Sequence, residues 1–230
     1  MATIQENLDL LRSTKSAIKN AIIEKGVSVS DSDSFASYAE KIGEIEPIYD
    51  ITLPYVSLFG YPNAEIPSFV VGWDKLTNGY FKCGYSKIET FNNDMPNLTS
   101  AEFMFGDANN LTTFNGDLSS LINGSSMFSC FTGGSLFSFS SNLSSLTSAL
   151  QIFLQQQKLQ NITLTGTLNC DSFDLSPCVA LTVTSLMNVI NALVDLTGQS
   201  SKYLILGLTN LNKLSEEQKA IATAKNWVLQ

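Results

Sequence analysis

From Leu76 onward the apolar positions recur in units of 22, 23, 25 and 24 residues, far longer than the period of a single strand or helix. Units open at Leu76, Leu98, Leu121 and Leu146. Six or seven residues later the last three carry Met104-Phe105, Met127-Phe128 and Ile152-Phe153, while the first has Phe81 and Cys83 near that place. Each then shows an apolar pair three apart: Ile88 and Phe91, Leu111 and Phe114, Leu136 and Phe139, Leu159 and Ile162. A period in the twenties predicts a stack in which each turn of chain buries its Leu, Ile and Phe against its neighbours. The short polar runs between, NGDLSS, SSNLSS and TGTLN, suit hydrogen bonding from one turn to the next.

The pattern changes at both ends. Ile4–Lys25 reads as an amphipathic helix, with Ile4, Leu8, Leu11, Lys15, Ile18 and Ile22 at the 4-3-4-3-4 spacing of a coiled-coil seam. That seam serves either other chains or the helix's own neighbour. Ile4, Leu8, Leu11, Ile18 and Ile22 are therefore the candidate oligomerisation or docking residues. Gly26 is a natural stop. The Ser30–Ser34 run offers N-caps for a second helix with Phe35, Tyr38, Ala39, Ile42 and Ile45 on one face, and Glu46-Pro47 ends it. The expected layout is a helical hairpin over 1–46 and a second domain over 47–230. That domain divides into an N-terminal cap (47–75), repeats (76–169) and a C-terminal cap (170–230). The runs ITLPYVSLFG and IPSFVVGW predict a strand pair in the first cap. In the second cap, Thr184 opens a helix bearing Leu186, Val189, Ile190 and Leu193, with Gly198 as its stop. Tyr203–Leu208 follows as a strand. The Ser215–Gln218 capping box opens a helix over Glu216–Lys225, Asn226 takes the left-handed place, and Trp227–Leu229 is a short strand.

Composition removes whole classes of function. A net charge of -8 opposes binding to a phosphate backbone. No apolar run approaches the ~18 residues of a membrane-spanning helix, and MATIQENLDLLRSTKS lacks the charged-then-apolar layout of a secretory signal, so neither membrane insertion nor export is expected. Cys83, Cys130, Cys170 and Cys178 form no C-x-x-C pair and there is no histidine, which excludes a Cys/His zinc site; these cysteines read as small apolar core residues kept reduced. The absence of histidine also removes the commonest general base. Asp171 and Asp174, the close acidic pair of the low-charge middle, suit a turn before Pro177 better than glycoside hydrolysis. No catalytic residue, cofactor or metal site is predicted, and the chain is expected not to be an enzyme. Tyr55, Tyr61, Trp73, Tyr80 and Tyr85 crowd the first cap, as cap core or as a surface for stacking on sugars. The turns that vary in length, between Phe105 and Leu111, Phe128 and Leu136, and Phe153 and Leu159, are where specificity would lie.

Two resemblances sharpen this. Met127-Phe128-Ser129-Cys130 and Leu111, Phe114 with Asp117–Leu121 resemble BspA-like (Treponema-type) leucine-rich-repeat proteins, as do the tail segments Leu181–Leu193, Leu206–Leu214 and Glu217–Lys225. The likeness covers Leu76–Gln230 and departs at Gln155–Gln157, where a Cys is usual, and at Asn226, where Gly is common. It implies an α+β fold: a short leucine-rich-repeat, β-solenoid-like domain with an N-terminal helical hairpin and a helical C-terminal cap. Ala21-Ile22, Lys25-Gly26-Val27, Val29, Phe35, Tyr38-Ala39, Lys41-Ile42 and Ile45 resemble a short element near the start of bacteriophage tail and fibre proteins. Together they imply a non-enzymatic virion structural protein: a fibre, tail or head appendage assembled in the host cytoplasm, presenting its repeats for host attachment or virion assembly. A dimer or trimer, with other virion proteins and a host-surface protein or glycan as partners, belongs to that expectation. The alternatives are a BspA-like adhesion or protein-interaction module of a bacterial surface, and a glycan-binding protein.

Overall fold

Thr3 starts the first helix reciprocally: its hydroxyl accepts the Glu6 amide at 3.1 Å while the Glu6 carboxylate accepts the Thr3 amide at 2.6 Å. The computed structural model describes residues 3–25, 27–44, 49–67 and 70–230. The chain divides into two compact units, Met1–Ile48 and Tyr49–Gln230. The stop proposed at Gly26, the inward place of Ile45 and the boundary at Glu46-Pro47 lie outside the described residues.

In the first unit, α1 spans Ile4–Glu24 and Lys25 closes it. Ser34 accepts the Ser37 amide to begin a 3-10 turn, Phe35–Ser37, which runs into α2, Tyr38–Gly43. The small core joins Ile22, Val29 and Tyr38, with Ile18 and Val27 against it. Lys15 fixes the connection by donating to the Asp33 carbonyl at 2.7 Å while its ammonium lies 5.7 Å from the Tyr38 ring centroid. Lys19 pairs with Asp31. The predicted apolar face of the second helix is only partly used. A six-residue helix offers one inward place, filled by Tyr38, whereas Phe35 and Ile42 remain exposed.

The second unit opens with β1 (Tyr49–Asp50) beside β2 (Val70–Val71), a parallel pair of two residues each. Among the described residues, the strand pair predicted here is confined to these two short strands. Ile51–Gly60 runs through turns around Pro54, and the amides of Leu58 and Gly60 donate to the carbonyls of Lys82 and Gly84 instead of to a neighbouring strand. Beyond it, β3 (Thr90–Phe91), β4 (Thr113–Asn115), β5 (Ser138–Ser141) and β6 (Asn161–Leu164) make one parallel sheet in sequence order. Phe91, Phe114, Phe139 and Ile162 are successive cross-strand partners. A second line of contacts joins Asn78, Ser100, Asn123 and Ser148, so each repeat meets the next at two places.

Two files of rings fill the interior. Phe91, Phe114 and Phe139 stack at 5.3 and 5.4 Å, and Phe105, Phe128 and Phe153 at 5.4 and 5.6 Å. The files meet edge to face at 4.9 to 5.7 Å, the geometry favoured by the ring quadrupole. Leu76, Leu98, Leu121 and Leu146, the residues that open each unit, are all buried.

The last sheet is β7 (Ser172–Asp174), β8 (Lys202–Ile205) and β9 (Trp227–Leu229), again parallel. Around it lie α3 (Val183–Ala192), α4 (Gly207–Leu211) and α5 (Glu216–Ala224). The whole is a mixed α+β chain built on parallel sheets. Ser215 and Gln218 form the predicted capping box, and Asn226 is left-handed at φ 61°. Three details differ from expectation. Thr182, not Thr184, caps α3, because its hydroxyl accepts the amide of Ser185 three residues on. Gly198 does not end that helix; Leu193 does, drawn into an extended bridge with Leu168. The strand begun at Lys202 stops at Ile205, since Gly207 turns left-handed at φ 67° and leads into α4.

Candidate functional site

Each repeat carries a run of tight turns opposite its strand, and the hydrogen bonding there has one sense. The amides of Gly79, Phe81, Cys83 and Tyr85 donate to the carbonyls of Ser100, Glu102, Met104 and Gly106 in the next repeat. Ala101, Phe103, Phe105 and Asp107 do the same to Asn123, Ser125, Met127 and Ser129, and Gly124, Ser126, Phe128 and Cys130 to Ser148, Leu150, Ile152 and Leu154. Intervening amides close local turns, as in Met104 to Ala101 and Gly106 to Phe103. Such a path forces the left-handed region at Phe81, Phe103, Ser126 and Gln151, and again at Tyr85, Asp107 and Gln155. A non-glycine residue there costs about 1–2 kcal/mol, which the ladder of bonds offsets.

This register corrects one expectation. Lys82 and Cys83, rather than Phe81 and Cys83, occupy the places of Met104-Phe105. The Lys82 stem is buried and its ammonium donates to the Leu53 and Val56 carbonyls at 2.6 Å each, tying the first cap to the first repeat. Burial lowers the Lys82 pKa, an effect opposed by Cys83 and Asp50. Phe81 is thereby turned outward.

Equivalent places in the ladder then read, repeat by repeat, Tyr80, Glu102, Ser125, Leu150; Phe81, Phe103, Ser126, Gln151; and Tyr85, Asp107, Cys130, Gln155, of which Asp107, Ser126 and Cys130 are buried. The first two repeats therefore present aromatic rings. Phe81 lies 5.7 Å from Phe59, 5.8 Å from Tyr80, and 6.1 Å from both Tyr85 and Phe103, and Phe59 packs on Tyr85 at 5.5 Å. Phe59, Tyr80 and Tyr85 keep 58%, 59% and 47% of their surface exposed, so this cluster is not core. Gly84 makes room for it: a Cβ there would come within 2.8 Å of the Phe81 ring. The Asp107 carboxylate faces Tyr85 and raises the pKa of its phenol.

Of the aromatic residues singled out in the first cap, Tyr80 and Tyr85 join this cluster. Trp73 is buried edge-on against Phe91 at 5.0 Å, and the Tyr61 hydroxyl accepts the Asn63 amide at 2.6 Å. Tyr55 and Tyr61 line a separate cleft of about 320 Å³ with Tyr49, Val56, Ser57, Leu58 and Val70. Sequence reasoning missed Phe59, Phe81 and Phe103. The signal was present, because Phe103 precedes the Met104-Phe105 pair just as Phe81 precedes Lys82-Cys83.

The enlarged turn between Phe128 and Leu136 is held from both sides. Asp107 accepts the Phe131 amide at 2.7 Å. From the following repeat, the buried Gln156 donates to the Phe128 carbonyl at 2.6 Å and to Cys130 Sγ at 3.3 Å, while its Oε1 accepts the Leu136 amide at 3.1 Å. Gln156, next to Gln155, the residue in register with Cys130, thus pins the turn of the preceding repeat. Phe131, at the tip, is 73% exposed.

The candidate docking seam divides along α1. Ile22 is buried and Ile18 packs beside it, whereas Ile4, Leu8 and Leu11 are exposed, as is Leu10. Cys83, Cys130, Cys170 and Cys178 are all buried free thiols, and burial raises the last three to about 11, 12 and 12. Asp171 pairs with Lys202 at 3.2 Å while Asp174 accepts the Ser176 amide at 2.8 Å, so the two carboxylates serve separate structural contacts. Among the described residues no cluster of three or more Cys, Asp or Glu side chains could hold a metal ion, and no helix is long and apolar enough to cross a membrane. Comparison with family models, curated proteins and solved structures gave no match.

Proposed function

We propose that this chain is a non-catalytic attachment module: a leucine-rich-repeat solenoid of the BspA-like type, carried on a helical hairpin that docks or oligomerises. The observation that carries the reading is the division of the α1 seam. Ile18 and Ile22 are used in the local core, and Ile4, Leu8 and Leu11 extend the same seam as an exposed apolar stripe. Such a stripe is stabilised by a partner helix, in a dimer, a trimer or another protein of the assembly. Combined with the hairpin's likeness to phage tail and fibre proteins, this supports a fibre, tail or head appendage of a bacteriophage particle. The repeats then act as a rigid presenting surface for a host protein or glycan. Antibody labelling of purified particles in the electron microscope tests the placement: decoration of one discrete position is expected, and undecorated particles sink it. The repeat likeness also supports a bacterial-surface adhesion module, for which the same antibody would label intact bacterial cells.

A further inference from the structure

We propose that Phe59, Tyr80, Phe81, Tyr85 and Phe103, with Asp107 at their border, form a platform that binds a neutral glycan. This rests on the reading of the chain as an attachment module and names what one of its faces takes. Three observations carry it.

The first is conformational. Phe81, Tyr85 and Phe103 occupy left-handed backbone at φ 55°, 54° and 53°. The equivalent places in the third and fourth repeats hold Ser126, Gln151 and Gln155, so the ladder does not itself require an aromatic ring there. Glycine or asparagine would satisfy the backbone with less strain. Bulky residues kept at strained, solvent-facing positions point to a use for the side chains.

The second is the form of the cluster. The rings adjoin one another in a tilted row, with interplanar angles of 35° to 46° between Phe81 and its four neighbours and 71° between Phe59 and Tyr85. They do not close around a point as a cage for an ammonium ion does. Adjoining rings spread over two repeats suit the apolar C–H face of a pyranose chain, and the exposed Tyr80 and Tyr85 bring hydroxyls that can pair with sugar hydroxyls.

The third is charge. None of the equivalent places compared above holds Lys or Arg, and the acidic groups by the rings are the half-buried Glu102 and Asp107, whose buried carboxylate faces Tyr85 and accepts the Phe131 amide. Carboxylates and hydroxyls accept from sugar hydroxyls, whereas the same carboxylates repel phosphate, sulfate or uronate groups. The acceptable ligand is therefore an uncharged saccharide.

The test is saturation-transfer NMR and titration calorimetry on the full chain with neutral glucan, galactan and mannan oligosaccharides, and a sulfated or uronate oligosaccharide as the anionic comparison. At least one neutral series should bind and the anionic one should not. Tyr80→Ala and Tyr85→Ala, both at exposed positions, should each weaken binding about tenfold with an unchanged circular-dichroism melt. Tyr55→Ala, in the separate cleft, should leave it intact. Absence of binding by every neutral series overturns the proposal, as does binding that survives both substitutions. A protein partner lost on Tyr80→Ala, with no saccharide bound, assigns the platform to protein instead. None of these failures alters the particle-labelling result, on which the attachment reading stands separately.

Discussion

The side chain of Asn188 accepts the amide of Leu164 at 2.7 Å, so a helix does for the last strand of the sheet what a further strand would have done. Ser185, one turn earlier on α3, accepts the buried Ile162 amide at 3.1 Å and donates to the Gln160 carbonyl at 2.8 Å. An open β6 edge would present these groups for pairing with other chains. Ser185→Ala should therefore cost about 1–3 kcal/mol, the penalty of a buried donor left unpaired. Urea denaturation measures it. Asn188→Ala should cost less, because its bond is only partly buried, and should raise light scattering on mild heating as the edge opens.

Phe128 touches Phe105, Phe114, Phe139 and Phe153 and is 1% exposed. Replacing it with Ala opens a cavity at the crossing of both ring files, and a loss of about 3–5 kcal/mol is expected. Phe128→Leu should lose clearly less. If thermal melts of the two variants coincide, the interlocked rings are not what holds the repeats together.

Stability should fall on the alkaline side. Cys130, Cys170 and Cys178 have folded pKa values raised by burial to about 11, 12 and 12, from an ordinary 9.0. Between those limits the unfolded chain releases protons that the folded chain retains. The stabilisation is complete below pH 9 and declines as pH rises through the window to the folded values, by up to about 1.4 kcal/mol per pH unit for each thiol. Denaturant titrations from pH 8 to about 10.5 should show this slope, and Cys170→Ala with Cys178→Ala should flatten it. In the folded state the four thiols should react with a disulfide reagent no faster than global unfolding allows.

The α1 stripe makes a prediction separable from folding. Leu8→Lys and Leu11→Lys change exposed positions, so the melting temperature should move little. Self-association measured by light scattering should be lost. A full chain already monomeric at micromolar concentration would restrict the stripe to docking on a different protein.

Much of the architecture is legible because it depends on local or periodic signals. The Leu and Phe spacings locate the opening leucines and both ring files, and Ser215 with Gln218 marks the start of α5. What escapes is set by contacts between repeats. Nothing local distinguishes Phe81 from Cys83 as the inward residue; the amide of Cys83, bonded to Met104, settles it. Left-handed Phe, Tyr and Gln residues run against their own preferences and are tolerated only because the neighbouring repeat fixes the path. The same holds for Ile51–Gly60, whose apolar character suggests a strand but whose amides are taken by the first repeat. The aromatic platform is half legible: Tyr80 and Tyr85 stand out in the sequence, while Phe81 and Phe103 look like core until the register is known.

The bonding between repeats also governs how such a chain changes length. Each joint between repeats combines the same two sets of bonds: in the turns an amide behind meets a carbonyl ahead, and at Thr99, Thr112, Ile122, Phe137 and Thr147 an amide ahead meets a carbonyl behind. A duplicated 98–120 segment would therefore meet familiar groups on both sides, and neither Leu58 and Gly60 at one end nor Ser185 and Asn188 at the other would need to change. A segment spliced in at half a period would leave both faces mismatched. Length can vary by whole units, at low structural cost, while the ends that terminate the array stay constant.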